Sequence, residues 1–193
     1  MEMPLDAMND ISDDALLVLY TNGDKAAAAA LTYRLTPMVF SLANRLLNDR
    51  AEAEDVAQES MLRLWKIAPD WRQDEAKVTT WLYRVTSNLC TDRLRKRKGI
   101  GLDEIAEPED DTPGVEAQMQ AGERAGALRQ ALAELPDRQR QAVVLRHLEG
   151  LTNPDIAETL DVSVEAVESL VARGKRRLGA LLLGRKEELG LEK

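Results

Sequence analysis

Residues 135–178 (LPDRQRQAVVLRHLEGLTNPDIAETLDVSVEAVESLVARGKRRL) have the pattern of two short amphipathic helices joined by a tight turn and followed by a basic run. Thr152, with Asp155 three residues later, predicts a capping box at the start of the first helix, and Ser163 predicts the N-cap of the second. Asp161 falls in the turn, which favours a left-handed backbone that Asp tolerates better than most non-glycine residues. The pattern therefore predicts a helix-turn-helix.

The second helix of this motif has two different faces. Spacings of three and four turn Val167, Leu170 and Gly174 inward. Because the second helix of such a motif lies in the major groove of DNA, its outer face would meet the bases. The residues on that face are Glu165, Ser169, Ala172, Arg173 and Arg176, and we expect phosphate contacts from Lys175, Arg176 and Arg177. A solvated basic helix end is the alternative, but the coincidence of turn, caps and basic face favours DNA binding.

The composition predicts an all-α protein. The 193 residues are only 4% aromatic and rich in Leu, Ala, Arg and Glu, which favours two small helical domains. Cys90 is the single cysteine and lies far in sequence from His147, so the pattern offers no metal site and no internal disulfide. We see no signal peptide and no apolar run long enough to cross a membrane, and we expect a cytoplasmic protein without a cofactor.

The net charge of −8 is segregated along the chain, with basic blocks at 93–98 and 173–177. Between these blocks, Gly, Pro and acidic residues with little helical periodicity predict a flexible acidic linker. The predicted boundaries are 12–98 for the first domain, 99–121 for the linker and 122–185 for the second domain. The acidity of the linker could serve solubility alone, or the linker could lie near basic surfaces or imitate nucleic acid in a protein channel.

The first domain opens with a helix capped by Ser12 or Asp13, and a second helix runs from about residue 26 to 47, where Pro37 must kink or divide it. A third helix ends near Ala68. On its polar side, Leu62 stands among charged and amide residues: Asp55, Gln58, Glu59 and Lys66. This arrangement suits a protein-binding hot spot with a polar rim, but it equally suits a solvated face with one stray Leu.

A fourth helix begins near Thr80, and its inward residues are Leu82, Val85 and Leu89. Its outward stripe consists of Arg84, Asn88, Thr91 and Arg95, flanked by Trp81. An aromatic ring, hydrogen-bonding groups and cations along one line suit unstacked bases and the phosphates of a single strand. Alternatively, Trp81 belongs to the core and the arginines are solvated; taken alone, this helix slightly favours that reading, and the duplex-binding motif shifts the balance towards nucleic acid.

Nearly the whole chain resembles the extracytoplasmic-function sigma factors of bacterial RNA polymerase. The resemblance rests on AEDVAQES followed by LRLW, on TWLYRVTSNLCTDRLRKRK, and on LPDRQRQAVVLRHLEGLT with IAETLDVS, in this order. It implies that the first domain is sigma region 2 and the second is sigma region 4. It further implies a protein without catalytic residues of its own, which binds core polymerase and places it on the minus-10 and minus-35 elements of promoters.

The resemblance also assigns residues to three surfaces. A core-polymerase surface would consist of Asp55, Gln58, Glu59 and Leu62. A minus-10 surface, with Asn88 and the loop from Trp71 to Lys77 holding a flipped base, would consist of Trp71, Trp81, Arg84, Asn88, Thr91, Arg93 and Arg95. The minus-35 surface would consist of Ser163, Glu165, Glu168, Ser169, Ala172, Arg173, Lys175, Arg176 and Arg177.

Glu168 departs from the basic residue that many relatives carry, and a carboxylate would prefer a cytosine amino group or make no contact. The segments SVEAVESLVARGKRRL and TSNLCTDRLR resemble a proteobacterial RpoE-like subgroup paired with zinc-binding anti-sigma factors and with oxidative or singlet-oxygen stress. An anti-sigma factor would hold the free protein inactive. A stand-alone helix-turn-helix repressor or activator is the alternative, whereas no phosphate loop, metal cluster or nucleophile pair suggests an enzyme.

Overall fold

The computed structural model describes Met8, residues 10–72, 76–100 and 116–184. These residues form eight α-helices and no strand. The helices are α1 (Asp13–Thr21), α2 (Lys25–Leu47), α3 (Arg50–Ile67), α4 (Val78–Ile100), α5 (Glu116–Ala133), α6 (Asp137–His147), α7 (Asn153–Leu160) and α8 (Val164–Leu183). The all-α prediction is confirmed. None of the described helices is both long enough and apolar enough to cross a membrane.

Short polar residues start the first three helices. Ser12, Asp24 and Asp49 each accept hydrogen bonds from backbone N–H groups of the turn that follows. Pro37 does not divide α2, which continues as one helix to Leu47. The carbonyl that loses its partner at Pro37 belongs to Tyr33, which is 83% exposed, so water can satisfy it.

Two hydrophobic clusters hold the helices together. One lies within α1–α4 and contains Leu16, Leu17, Leu31, Leu64 and Leu82. The other combines the C-terminal half of α2, the start of α3 and part of α4 with most of α5–α8. The second cluster therefore joins the two halves of the chain, α1–α4 and α5–α8, into one packed body.

The predicted linker falls largely on residues 101–115, which lie outside the described residues. α4 extends to Ile100 and α5 begins at Glu116, so both helices enter the segment 99–121 that the composition marks as a linker. The predicted domain limits remain predictions, while the two halves they separate correspond to α1–α4 and α5–α8.

Candidate nucleic-acid interface

α7, the turn and α8 form a helix-turn-helix with the predicted caps. The Thr152 hydroxyl accepts from the Asp155 N–H at 3.3 Å, and the Asp155 carboxylate accepts from the Thr152 N–H at 3.2 Å. Asp161 ends α7 with a φ of 53°, in the left-handed region. The Ser163 hydroxyl then accepts from the Ala166 N–H and starts α8. The local sequence thus sets both ends of the turn.

A close approach of backbones fixes how α8 lies against α6. A Cβ atom at Gly174 would stand 2.6 Å from the Val143 Cγ2 and 3.1 Å from the Gln139 carbonyl oxygen. Together with the fully buried Val167, Gly174 defines the inward face of α8. The outer face is therefore turned to solvent.

All nine residues predicted for the minus-35 surface are exposed. They are Ser163, Glu165, Glu168, Ser169, Ala172, Arg173, Lys175, Arg176 and Arg177. The Arg173 Nε donates to the Ser169 carbonyl at 3.2 Å, which orders that guanidinium along the helix. The pKa of Glu165 is lowered by its own backbone N–H and by the Ser163 hydroxyl, so this surface presents a carboxylate together with its cations.

The imidazole of His147 lies near this face. It lies at the end of α6, and its pKa is lowered by partial burial and then by the charges of Lys175 and Arg146. The lowered pKa favours the neutral imidazole, so the positive charge of the region comes chiefly from lysine and arginine.

The surface predicted for the minus-10 element is only partly free. Arg84, Asn88 and Arg95 are exposed on α4 as predicted. Trp81 and Trp71 are half-buried against the core, with ring centroids 6.0 Å apart in an edge-to-face arrangement. Trp81 therefore packs partly on the core beside the loop, and its contact with nucleic acid stays a prediction. Residues 73–75 of that loop lie outside the described residues.

Neighbouring carboxylates engage several cations of the 93–98 block. Arg93 lies 3.5 Å from the Asp55 carboxylate, which links the predicted minus-10 and polymerase surfaces. Arg97 pairs with Asp49 and Glu52, and Lys98 lies 2.6 Å from Asp137 of α6. Within this block, Arg95 is an exposed cation in line with Asn88, as Arg84 is on the preceding turn.

Thr91 faces the other half of the chain. Its hydroxyl accepts from the Gln141 Nε2 of α6 at 2.7 Å and donates to the Ser87 carbonyl at 2.9 Å. The helical spacing predicts the position of Thr91 on the polar stripe of α4, but it does not predict the contact with Gln141. Gln141 lies in a polar stretch, DRQRQ, that gives no sign of its burial.

The predicted polymerase surface on α3 is exposed around an apolar centre. Leu62 is 62% exposed, and Asp55 and Gln58 are exposed beside it. Glu59 is half-buried and bonded to Arg63 at 2.8 Å. The opposite face of α3, with Val56, Ser60 and Leu64, is buried. An exposed leucine ringed by polar groups has the form of a docking surface.

Two family models cover most of the described chain. Residues 32–100 match the model of sigma-70 region 2, and residues 125–178 match the model of sigma-70 region 4. The first segment contains the surfaces on α3 and α4, and the second contains the helix-turn-helix. The two polar surfaces and the exposed Leu62 therefore lie within the segments that the two family models match.

Relatives extend this match over most of the chain. The ECF RNA polymerase sigma factor SigM of Mycobacterium tuberculosis is 36% identical over 174 residues, which is 89% of this chain and 85% of SigM. SigE of Mycolicibacterium smegmatis is 33% identical over 83% of this chain, which spans 65% of that longer protein. The sigma factor RpoE of Bartonella quintana, solved with the anti-sigma factor NepR, shares the fold with a TM-score of 0.61 at 22% identity, covering 78% of this chain and 93% of that one. The chain belongs to the sigma-70 family as an extracytoplasmic-function sigma factor.

Proposed function

We propose that this chain binds core RNA polymerase through α3 and directs it to promoters, reading the minus-35 element with α8 and the minus-10 element with α4. The observation that carries the proposal is the pair of exposed polar surfaces, on α8 and on α4, in a chain that also exposes Leu62 within a polar rim. A stand-alone repressor needs only the polar surface on α8, and neither the surface on α4 nor the exposed Leu62.

Within the minus-35 surface, the exposed cations at the C-terminal part of the basic run 173–177 can contact phosphates. The exposed residues from Glu168 to Arg173 can contact the edges of bases. Within the minus-10 surface, Asn88 can hydrogen-bond a base and Arg84 and Arg95 can hold the neighbouring backbone. Extruding a base costs a few kcal/mol, which contacts that exist only with the open strand can offset. The chain itself would then need no catalytic residue, since the polymerase performs the chemistry in the cytoplasm.

Regulation by an anti-sigma factor is also proposed. The complex of Bartonella quintana RpoE with NepR supports it, because that protein shares this fold. The RpoE-like subgroup, the zinc-binding anti-sigma partner and the oxidative or singlet-oxygen stress regulon remain predictions from the resemblance. The domain limits 12–98 and 122–185 also remain predictions.

A binding experiment separates the proposal from the repressor alternative. Purified chain is mixed with core polymerase and a promoter probe carrying an exposed non-template strand at the minus-10 element. We expect a complex that needs polymerase, and that weakens when Asn88→Ala is used. Tight binding to duplex operator without polymerase, and no binding to core polymerase, would establish the repressor or activator reading.

A further inference from the structure

We propose that Asp14, in the first turn of α1, is a positioning residue for the minus-10 surface. Its carboxylate fixes the start of α4 and thereby the direction in which Asn88 meets an open DNA strand. The proposal deepens the proposed function and rests on it. Asp14 lies outside residues 32–100, the segment that matches the region 2 model, and it stands 64 positions before the helix start that it holds.

The start of α4 lacks an acceptor in the residue that precedes it. The Lys77 carbonyl accepts from the Trp81 N–H at 3.0 Å, so the helix begins there, but the Lys77 side chain can only donate. The first N–H groups of a helix have no partner within it. One of them belongs to Val78, which is fully buried, so water cannot replace a missing acceptor.

Asp14 supplies this acceptor from another helix. The Val78 N–H donates to the Asp14 Oδ1 at 3.0 Å. A carboxylate at this place also suits the positive end of the α4 dipole. In α1, α2, α3, α7 and α8 the capping side chain belongs to the residue just before the helix, whereas α4 takes its carboxylate from α1. The start of α4 therefore depends on where α1 lies.

Contacts with α2 and with the core hold α1 in place. Arg34 of α2 donates to the Ile11 carbonyl at 2.8 Å and to the Asp13 carboxylate at 3.1 Å. On the next turn of α1, Leu16 and Leu17 are fully buried. The carboxylate that caps α4 is therefore part of a fixed scaffold.

The predicted base-holding side chains follow directly from this start. α1 packs against the short turn at Ala68–Asp70 and against α4, so it contacts the chain on both sides of Trp71 in the sequence. Trp81 lies three residues after Val78 and meets the Trp71 ring edge to face. Asn88 follows Trp81 two turns later on the same stripe. A displaced first turn of α4 would shift this stripe, and a misplacement of about 1 Å is enough to weaken a positioned contact.

The sign of its charge distinguishes Asp14 as a positioning residue from a residue that contacts DNA. A carboxylate near DNA repels phosphates, so removing the charge would strengthen DNA binding if electrostatics alone acted. Removing the acceptor should instead weaken binding to an open strand. An uncapped start of α4 leaves fewer chains with the stripe in place, and the apparent affinity falls by that fraction.

Binding by the assembled holoenzyme tests the assignment. The chain, with core polymerase, is titrated with a minus-35 duplex and with the same duplex continued into a single-stranded non-template strand over the minus-10 element. If Asp14→Ala leaves a tenth of the chains with the stripe in place, the affinity for the second probe falls about tenfold. Asp14→Asn keeps an acceptor oxygen and should bind this probe within about twofold of the unchanged chain. Both variants should bind the duplex probe as the unchanged chain does.

Two controls separate positioning from a general loss of stability. Asp24→Ala removes a comparable carboxylate, which caps α2 through the Ala26 N–H at 2.9 Å, and should leave the affinity for the second probe unchanged. On the Asn88→Ala background, Asp14→Ala should cost much less affinity than it costs in the unchanged chain, because part of its effect is exerted through that side chain.

Equal affinities of Asp14→Ala and Asp14→Asn for the second probe, or an equal loss in Asp24→Ala, would overturn the assignment. A full additional loss on the Asn88→Ala background would overturn it as well. If the unchanged chain binds the second probe no better than the duplex alone, the proposed minus-10 function itself fails. The two failures are therefore distinguished by the chain in which they occur.

Discussion

A side chain at Gly174 would collide with Val143, since an added Cβ atom would lie 2.6 Å from the valine Cγ2. We predict that Gly174→Ala destabilises the C-terminal half by about 1–3 kcal/mol, because α6 and α8 must move apart. Chemical denaturation measures the free energy of unfolding. Gly179→Ala is the matched control in the same helix, where nothing lies within 4 Å of an added Cβ, and it should stabilise by up to about 1 kcal/mol. Equal effects of the two substitutions would contradict the close approach.

Leu62 should carry binding energy for core polymerase. We expect Leu62→Ala to weaken the affinity by about 5- to 30-fold, as the loss of a hot spot of 1–2 kcal/mol predicts. Titration of labelled polymerase measures it. Tyr33→Ala removes another exposed apolar side chain from the same half and should change the affinity by less than about twofold. An unchanged affinity in Leu62→Ala would make this leucine a solvated residue.

The sequence predicts local features of this fold better than its long-range contacts. The caps at Thr152 and Ser163 and the left-handed Asp161 follow from residues within three or four positions, so a short pattern contains them. The continuity of α2 through Pro37 depends instead on the solvent exposure of one carbonyl, which no short pattern encodes.

The same limit applies to the candidate site. The exposed face of α8 follows from helical spacing, and so does the exposure of Arg84, Asn88 and Arg95. The engagement of Thr91 by Gln141 depends on packing between segments 50 residues apart. Since Arg140 and Gln141 are polar, a hydrophobic pattern assigns both to solvent, and only the packed structure shows them buried.

Glu168 should select a base pair rather than supply affinity. We predict that Glu168→Ala relaxes the preference at one position of the minus-35 element, where a cytosine amino group can donate to the carboxylate, by about 1–3 kcal/mol. Binding to a randomised duplex library measures the preference. Arg176→Ala is the control for a phosphate contact and should weaken all sequences alike while reducing the salt slope by about 1. An unchanged preference in Glu168→Ala would mean that this carboxylate makes no base contact.

The Cys90 thiol should be inert in the folded protein. Burial raises its pKa to about 12, so it stays protonated where an exposed cysteine ionises. A chromogenic disulfide reagent at pH 8 should react slowly with the native chain and fast after denaturant unfolding, whereas Thr32→Cys adds one fast site. In the unfolded chain this thiol ionises at its ordinary pKa. The free energy of unfolding should therefore fall as the pH rises from that ordinary pKa towards 12. Rapid native reaction would show that the pocket around Cys90 opens readily.

Run-off transcription tests the central claim most directly. Purified core polymerase is supplied with this chain, or with its Asn88→Ala variant, on a promoter library in which the minus-10 and minus-35 elements are randomised. We predict transcripts that require the chain, share one pair of elements and weaken with Asn88→Ala, while Thr32→Ala, at an exposed position of α2, transcribes normally. No transcript despite intact binding to duplex DNA would contradict the account and leave a polymerase-independent regulator in its place.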